Sequence, residues 1–139
     1  MRTTIKVWLH RLRFILIFIR MPIYKPVSYT HLCTGGAVQA GESSVNGAVR
    51  ELKEETGLQV APQELSLMHT VRLKDRFVDT YIVRMDFTMP QIVQDREETV
   101  QAVLVGWDEL LALWSAGRLC PESRFPLYKS DLVSFLRRF

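Results

Sequence analysis

Four glutamates, Glu42, Glu51, Glu54 and Glu55, fall within the stretch GGAVQAGESSVNGAVRELKEETGL (residues 35–58), alongside five glycines and a single arginine, Arg50. On a helix advancing about 100° per residue, Glu51, Glu54 and Glu55 share one face at i, i+3 and i+4, so their carboxylates can converge on one point. Like charges at those spacings repel, and a cation that neutralises them makes the cluster tolerable. Hard oxygen donors suit Mg²⁺, or Mn²⁺, held through a few carboxylates together with water and substrate phosphate. A nitrogen or sulfur set is lacking: His10, His31 and His69 are scattered, and Cys33 has only His31 near it, too little for zinc. Taken alone, the helix also reads as a solvated face on which Arg50 and Lys53 balance the glutamates.

The elements that must carry these groups can be placed from local patterning. Ser43 or Ser44 is a favoured N-cap, because its hydroxyl can satisfy a free backbone N–H of the first turn. Val45, Ala48, Val49, Leu52 and Thr56 then recur as one apolar-leaning stripe, and Gly57 supplies the left-handed residue that commonly ends a helix. Upstream, residues 4–9 and 13–19 are rich in β-branched and aromatic side chains and read as strands. Residues 21–32, with Pro22 and Pro26, read as loop, and Gly35-Gly36 opens a turn region lasting to Gly41. Downstream, residues 65–73 and 78–88 form a strand pair about the polar turn Lys74-Asp75-Arg76, and residues 99–105 are a further strand. Helices are expected over 108–116 and 131–138. Interleaved strands and helices predict an α/β fold with a mixed sheet sandwiched by helices.

Composition narrows the class. The 139 residues suit a single domain, 1–139, and the 47% apolar and 24% charged fractions are those of a globular protein. Two cysteines, Cys33 and Cys120, cannot make a disulfide framework, and reduced thiols in a cytoplasmic setting are the simpler reading. The net charge of +3 comes wholly from residues 1–32, which hold six Lys or Arg and no acid; the remainder carries 12 basic and 15 acidic residues. That asymmetry weakens any inference to a nucleic-acid partner. The longest apolar run, Phe14–Ile19, is six residues, far short of the roughly 20 that span a bilayer, so no membrane role is expected.

The spacing across residues 36–58 is Gly36, five residues, Glu42, seven residues, Arg50-Glu51-Leu52, one residue, Glu54-Glu55, one residue, Gly57-Leu58. It resembles the Nudix box at every defined position. The resemblance implies a loop–helix–loop catalytic motif in an α/β/α sandwich, and Mg²⁺-dependent hydrolysis of a small-molecule diphosphate such as a nucleoside diphosphate derivative. Carried onto these residues, Glu54 and Glu55 are metal ligands, and Glu51 is a further ligand or the base that orients the attacking water. Arg50 holds the glutamates by ion pairing and Glu42 braces the loop. Gly36 lets the backbone approach the metal and phosphates and offers its carbonyl as a ligand, with Gly35 and Gly57 completing the loops. Relatives place one more glutamate on a loop before a late strand; Glu98 is the first choice here and Glu97 the second. Phe77, Asp79 and Tyr81 share a strand face and are candidates to line a substrate cleft, with Arg20 as a substrate-binding arginine. Trp107 and Trp114 read as core. A homodimer is compatible with this reading.

The resemblance runs from about residue 33 to 115, and CTGGAVQAGESS with the downstream DTYIV strand looks like the bacterial branch described as ADP-ribose pyrophosphatase-like or isopentenyl-diphosphate isomerase-like. Upstream it breaks. Relatives carry a tryptophan shortly before the glycines, and this chain has none between residues 9 and 106. The string PVSYTHL (26–32) is similar to translated adapter read-through, which implies that residues 1–32 are in part frameshifted or chimeric. Two alternatives stand beside hydrolysis. An isomerase is disfavoured because Gly35 occupies the position where that enzyme has its cysteine. A non-catalytic nucleotide-binding module is disfavoured because every box glutamate is kept.

Overall fold

The computed structural model describes residues 2–11, 14–20, 29–31, 34–87, 99–119 and 125–138. Residues 21–28, Cys33, Cys120 and the acidic run 95–98, which contains Glu97 and Glu98, lie outside these. Among the described residues, seven strands form one sheet: β1 (Arg2–Arg11), β2 (Phe14–Arg20), β3 (Tyr29–His31), β4 (Thr34–Ala37), β5 (Ser66–Arg72), β6 (Arg76–Arg84) and β7 (Thr99–Gly106). Three α-helices accompany them, α1 (Ser44–Thr56), α2 (Trp107–Ser115) and α3 (Phe125–Leu136).

The strand order is β3–β2–β1–β6–β5, with β4 alongside β1 and β7 alongside β2. β1 and β6 run parallel, from Arg2 opposite Arg76 to His10 opposite Arg84, and the other pairs are antiparallel. Parallel neighbours need a long crossover; here it contains β2, β3, β4, α1 and β5, and so lays α1 over the sheet. The alternation of β6 then sorts the core. Tyr81 and Val83 face α1 and pack with Val7, Ala48, Leu52, Leu58, Leu65 and Phe87. Ile82 points to the opposite face and packs with Val105, Leu110, Leu119, Phe125 and Leu132 beneath α2 and α3. Helices on both faces of a mixed sheet make the expected α/β/α sandwich.

Three local expectations are corrected. Gly35 and Gly36 are strand, not turn: β4 pairs Gly35 with Lys6 and Gly36 with Ile5 of β1, and the chain turns only at Ala40-Gly41, where Gly41 has φ 79°. A non-local partner supplied the hydrogen bonds that local glycine propensity could not foresee. Residues 29–31, within the expected loop, pair with Phe18–Arg20 of β2. The last helix begins at Phe125 rather than Asp131; Pro126 falls in its first turn, where a missing N–H costs no intrahelical bond.

Leu52 is fully buried between α1 and the sheet. Leu52→Ala is expected to lower unfolding free energy by about 3 kcal/mol, read by urea denaturation of the two proteins side by side.

Candidate active site

The site is built where β4 runs into α1. Ser43 caps the helix, its Oγ accepting from the Asn46 N–H at 3.3 Å. Gly57 closes it in the left-handed conformation (φ 75°), its N–H reaching the Lys53 carbonyl at 2.8 Å. Thr56, buried at the last turn, donates to the Leu52 carbonyl and accepts from the Leu58 N–H, which ties the exit of the box back onto its helix. With both ends set and the Ala48–Leu52 stripe held against the sheet, Arg50, Glu51, Glu54 and Glu55 are turned toward β4 and the loop that follows it.

Arg50 is the hub. Its Nε and Nη2 both meet Glu42, at 3.0 and 3.2 Å, while Nη2 also donates to the Ala37 carbonyl at 3.0 Å. Its Nη1 reaches Glu51 at 2.8 Å and Glu54 at 3.1 Å. One planar guanidinium thus binds three carboxylates and a strand-end carbonyl, which the fork geometry of arginine permits and a lysine ammonium would not. Glu42 also accepts from the Gln39 N–H at 3.0 Å, so it closes the loop 38–43 on itself. These two donors, Arg50 first, hold the Glu42 carboxyl below the usual carboxylate range. Glu42 and then Glu51 in turn raise the Arg50 pKa above its ordinary value.

Exposure divides the glutamates. The Glu51 side chain is 14% exposed and the Glu54 side chain 57%. Glu51 lies against β4 so closely that a Cβ at Gly36 would collide with its carboxylate. Glycine leaves the Glu51 carboxylate room to lie there. Glu55 turns to the adjacent backbone, accepting from the Gly35 N–H at 3.3 Å. Among the described residues, no three His, Cys, Asp or Glu side chains are gathered closely enough to enclose a metal ion. The three glutamates share the expected helix face, but Arg50 draws Glu51 and Glu54 while the Gly35 amide draws Glu55, so their carboxylates do not meet at one point. Their donor chemistry, all anionic oxygen beside a strand stripped of side chain at Gly36, nevertheless fits a hard divalent cation.

The remaining candidates lie apart from this cluster. Asp79 and Tyr81 are on the face of β6 that α1 covers, and both are bound to Ser44: Ser44 Oγ donates to Asp79 Oδ2 at 2.5 Å, and the Tyr81 hydroxyl donates to Ser44 Oγ at 3.1 Å. Phe77 is half-buried two residues upstream. Arg20 ends β2 opposite Thr99 and Tyr29. Trp107 and Trp114 both pack on Phe125, with centroids 6.1 and 5.6 Å away, on the far side of the sheet; Trp114 also carries Lys129 Nζ over its ring at 4.7 Å. Sequence reasoning missed Ser44 and the Ala37 carbonyl as site partners. The doubled serine before the helix was a signal for the first; nothing local marked the second.

Residues 10–122 match the family model of the NUDIX domain. The chain belongs to the Nudix family. An uncharacterized Nudix hydrolase of Listeria monocytogenes is 28% identical over 94 residues, which cover 68% of this Nudix chain and 56% of that relative. The chain therefore spans little more than half the length of that protein. A MutT structure from work on Aliivibrio salmonicida and Vibrio cholerae superposes with a TM-score of 0.72 at 23% identity, over 96% of this chain and 98% of that one. A Deinococcus radiodurans structure gives a TM-score of 0.66 at 21% identity, over 99% and 82%. At these identities the two structures attest the fold. Among the described residues, no helix is long and apolar enough to cross a membrane.

The lowered Glu42 pKa fixes the sign of a pH effect. A depressed carboxyl stabilises the fold above its unfolded value, about 4.3, and that contribution is lost as pH falls through the depressed folded value. Glu42→Gln is expected to be less stable than wild type at pH 7, with the gap narrowing below about pH 4; urea unfolding at a series of pH values measures it.

Proposed function

We propose that this Nudix chain is a Mg²⁺-dependent hydrolase that cleaves the diphosphate linkage of a nucleoside diphosphate derivative or a related small diphosphate. The observation that carries the reading is the Arg50 hub. An ordinary charged helix surface has no reason to pin one guanidinium between Glu42, Glu51 and Glu54 while a strand glycine makes room for the Glu51 carboxylate.

In this reading Glu51, Glu54 and Glu55, with the Gly36 carbonyl, are the groups that would hold the metal, and Mn²⁺ is an acceptable substitute. Bound there, the cation supplies charge neutralisation at the diphosphate oxygens and a more acidic water. The rest falls to the protein. Water adds to one phosphorus, the bridging P–O bond breaks, and the proton of the water passes to a carboxylate, for which Glu51 and Glu98 are the candidates. Glu42 and Arg50 keep the carboxylates in place, so that catalysis is positioning and electrostatic stabilisation. A cytoplasmic enzyme with a small-molecule substrate is the setting this chemistry suits.

The deciding experiment is a screen of diphosphate compounds with Mg²⁺ and added phosphatase, read as phosphate release. Glu54→Gln and Glu55→Gln are each expected to abolish release while leaving the circular dichroism spectrum and melting temperature near those of wild type; undiminished activity in both would refute the assignment. Isomerisation of isopentenyl diphosphate, with no hydrolysis across the panel, would replace it.

A second variant probes the strand. In Gly36→Ala the new methyl meets the flexible end of Glu51 rather than backbone, so the carboxylate must swing aside while the pairing with Ile5 persists. Melting temperature should change little and turnover should fall about tenfold or more.

A further inference from the structure

Outside the box, a chain of hydroxyl and carboxyl groups ties the start of α1 to the sheet. Thr70 Oγ1 on β5 donates to Asp79 Oδ1 at 2.7 Å, and Ser44 Oγ, in the first turn of α1, donates to Asp79 Oδ2 at 2.5 Å. An ionised carboxylate only accepts, so Ser44 commits its single proton to Asp79 and takes the Tyr81 proton in return, at 3.1 Å. Every bond in the chain therefore has one direction, with Asp79 as its end. Tyr81 is 7% exposed and belongs to the core beneath α1, which leaves its ring no freedom to follow a moving helix.

The apolar contacts of Ala48 and Leu52 hold α1 down but are non-directional, and by themselves they permit the helix to roll. A carboxylate at the end of a glutamate stands about 7 Å from the helix axis, so a roll of about 10° displaces it by roughly 1 Å. A misplacement of that size can cost about 100-fold in rate. Ser44 lies between Glu42 and Arg50 in the chain, so fixing it fixes both ends of the ion pair that orders the site.

We propose that Asp79, acting through Ser44 with Tyr81 and Thr70 in support, is a positioning group that sets the roll of α1 and hence the placement of Glu42, Arg50 and Glu51, and that it does not line the substrate pocket. The inference rests on the reading of α1 as the catalytic helix.

The test is steady-state kinetics with Mg²⁺ on a diphosphate that the wild type turns over, using Ser44→Ala, Ser44→Thr, Asp79→Asn and Tyr81→Phe in the full chain. Ser44→Ala and Asp79→Asn should lower kcat about 10- to 100-fold with KM unchanged. Tyr81→Phe should lose less, and Ser44→Thr, which keeps the hydroxyl, should restore most of kcat. A rise in KM at constant kcat would put Asp79 against substrate and overturn the proposal, as would wild-type kinetics in all four. Urea unfolding of Ser44→Ala, Asp79→Asn and the double variant gives a readout free of turnover: non-additive losses support the network, and additive ones overturn it. If Asp79→Asn does not fold, Ser44→Ala against Ser44→Thr carries the same comparison. Wild-type turnover tests the function and the variant pattern tests the network, so each can fail without the other.

Discussion

Repulsion among carboxylates is the constraint around which this part of the molecule is organised. Glu51 and Glu54 stand one turn apart on a short helix with Glu42 brought up from the preceding loop, an arrangement that isolated would push itself open. Arg50 removes the difficulty by setting its Nε and Nη2 against Glu42 and its Nη1 against both Glu51 and Glu54. Its remaining contact, to the Ala37 carbonyl at the end of β4, fastens the charge cluster to the sheet. The loop between β4 and α1 is thereby held at both ends by one side chain, and the helix needs no acidic residue in its first turn to complete the arrangement.

The sheet supplies what charge cannot, a fixed frame. β6 is buried on both faces from Thr80 to Val83 because α1 covers one side and α2 with α3 the other. Its odd-numbered residues hold α1 and its even-numbered residues hold the opposite layer. A single strand therefore carries the relation between the two cores, and the hydrogen bonds from Asp79 and Tyr81 to Ser44 extend that relation from packing into direction.

What could be read in advance followed the range of the interactions. The helix, its serine cap and its glycine stop depend on residues within a few turns of one another, and the local pattern displays them; the ion pairs of Arg50 are implied by the family resemblance of residues 36–58. The strand character of Gly35-Gly36 depends on Lys6 and Ile5, some thirty positions earlier, and glycine propensity pointed the other way. Tyr29–His31 is short and follows the proline-containing stretch 22–26, so only its pairing with β2 reveals it. The bond between Ser44 and Asp79 spans 35 positions; alternation along β6 showed that Asp79 and Tyr81 share a face, but not that the face belongs to α1. Glu98 lies outside the described residues.

The parallel pairing of β1 with β6 has a kinetic consequence. Residues 2–10 find their long partner only at residues 76–84, so closing the centre of the sheet requires a loop of more than sixty residues to be brought together. Contacts of such sequence separation form late and slow the folding of a small domain. The helix that bears the glutamates precedes β6 in the chain and is the more local structure, yet the surface meant to cover its apolar side, Tyr81 and Val83, arrives afterwards. As the chain leaves the ribosome, the carboxylate helix waits on its own scaffold.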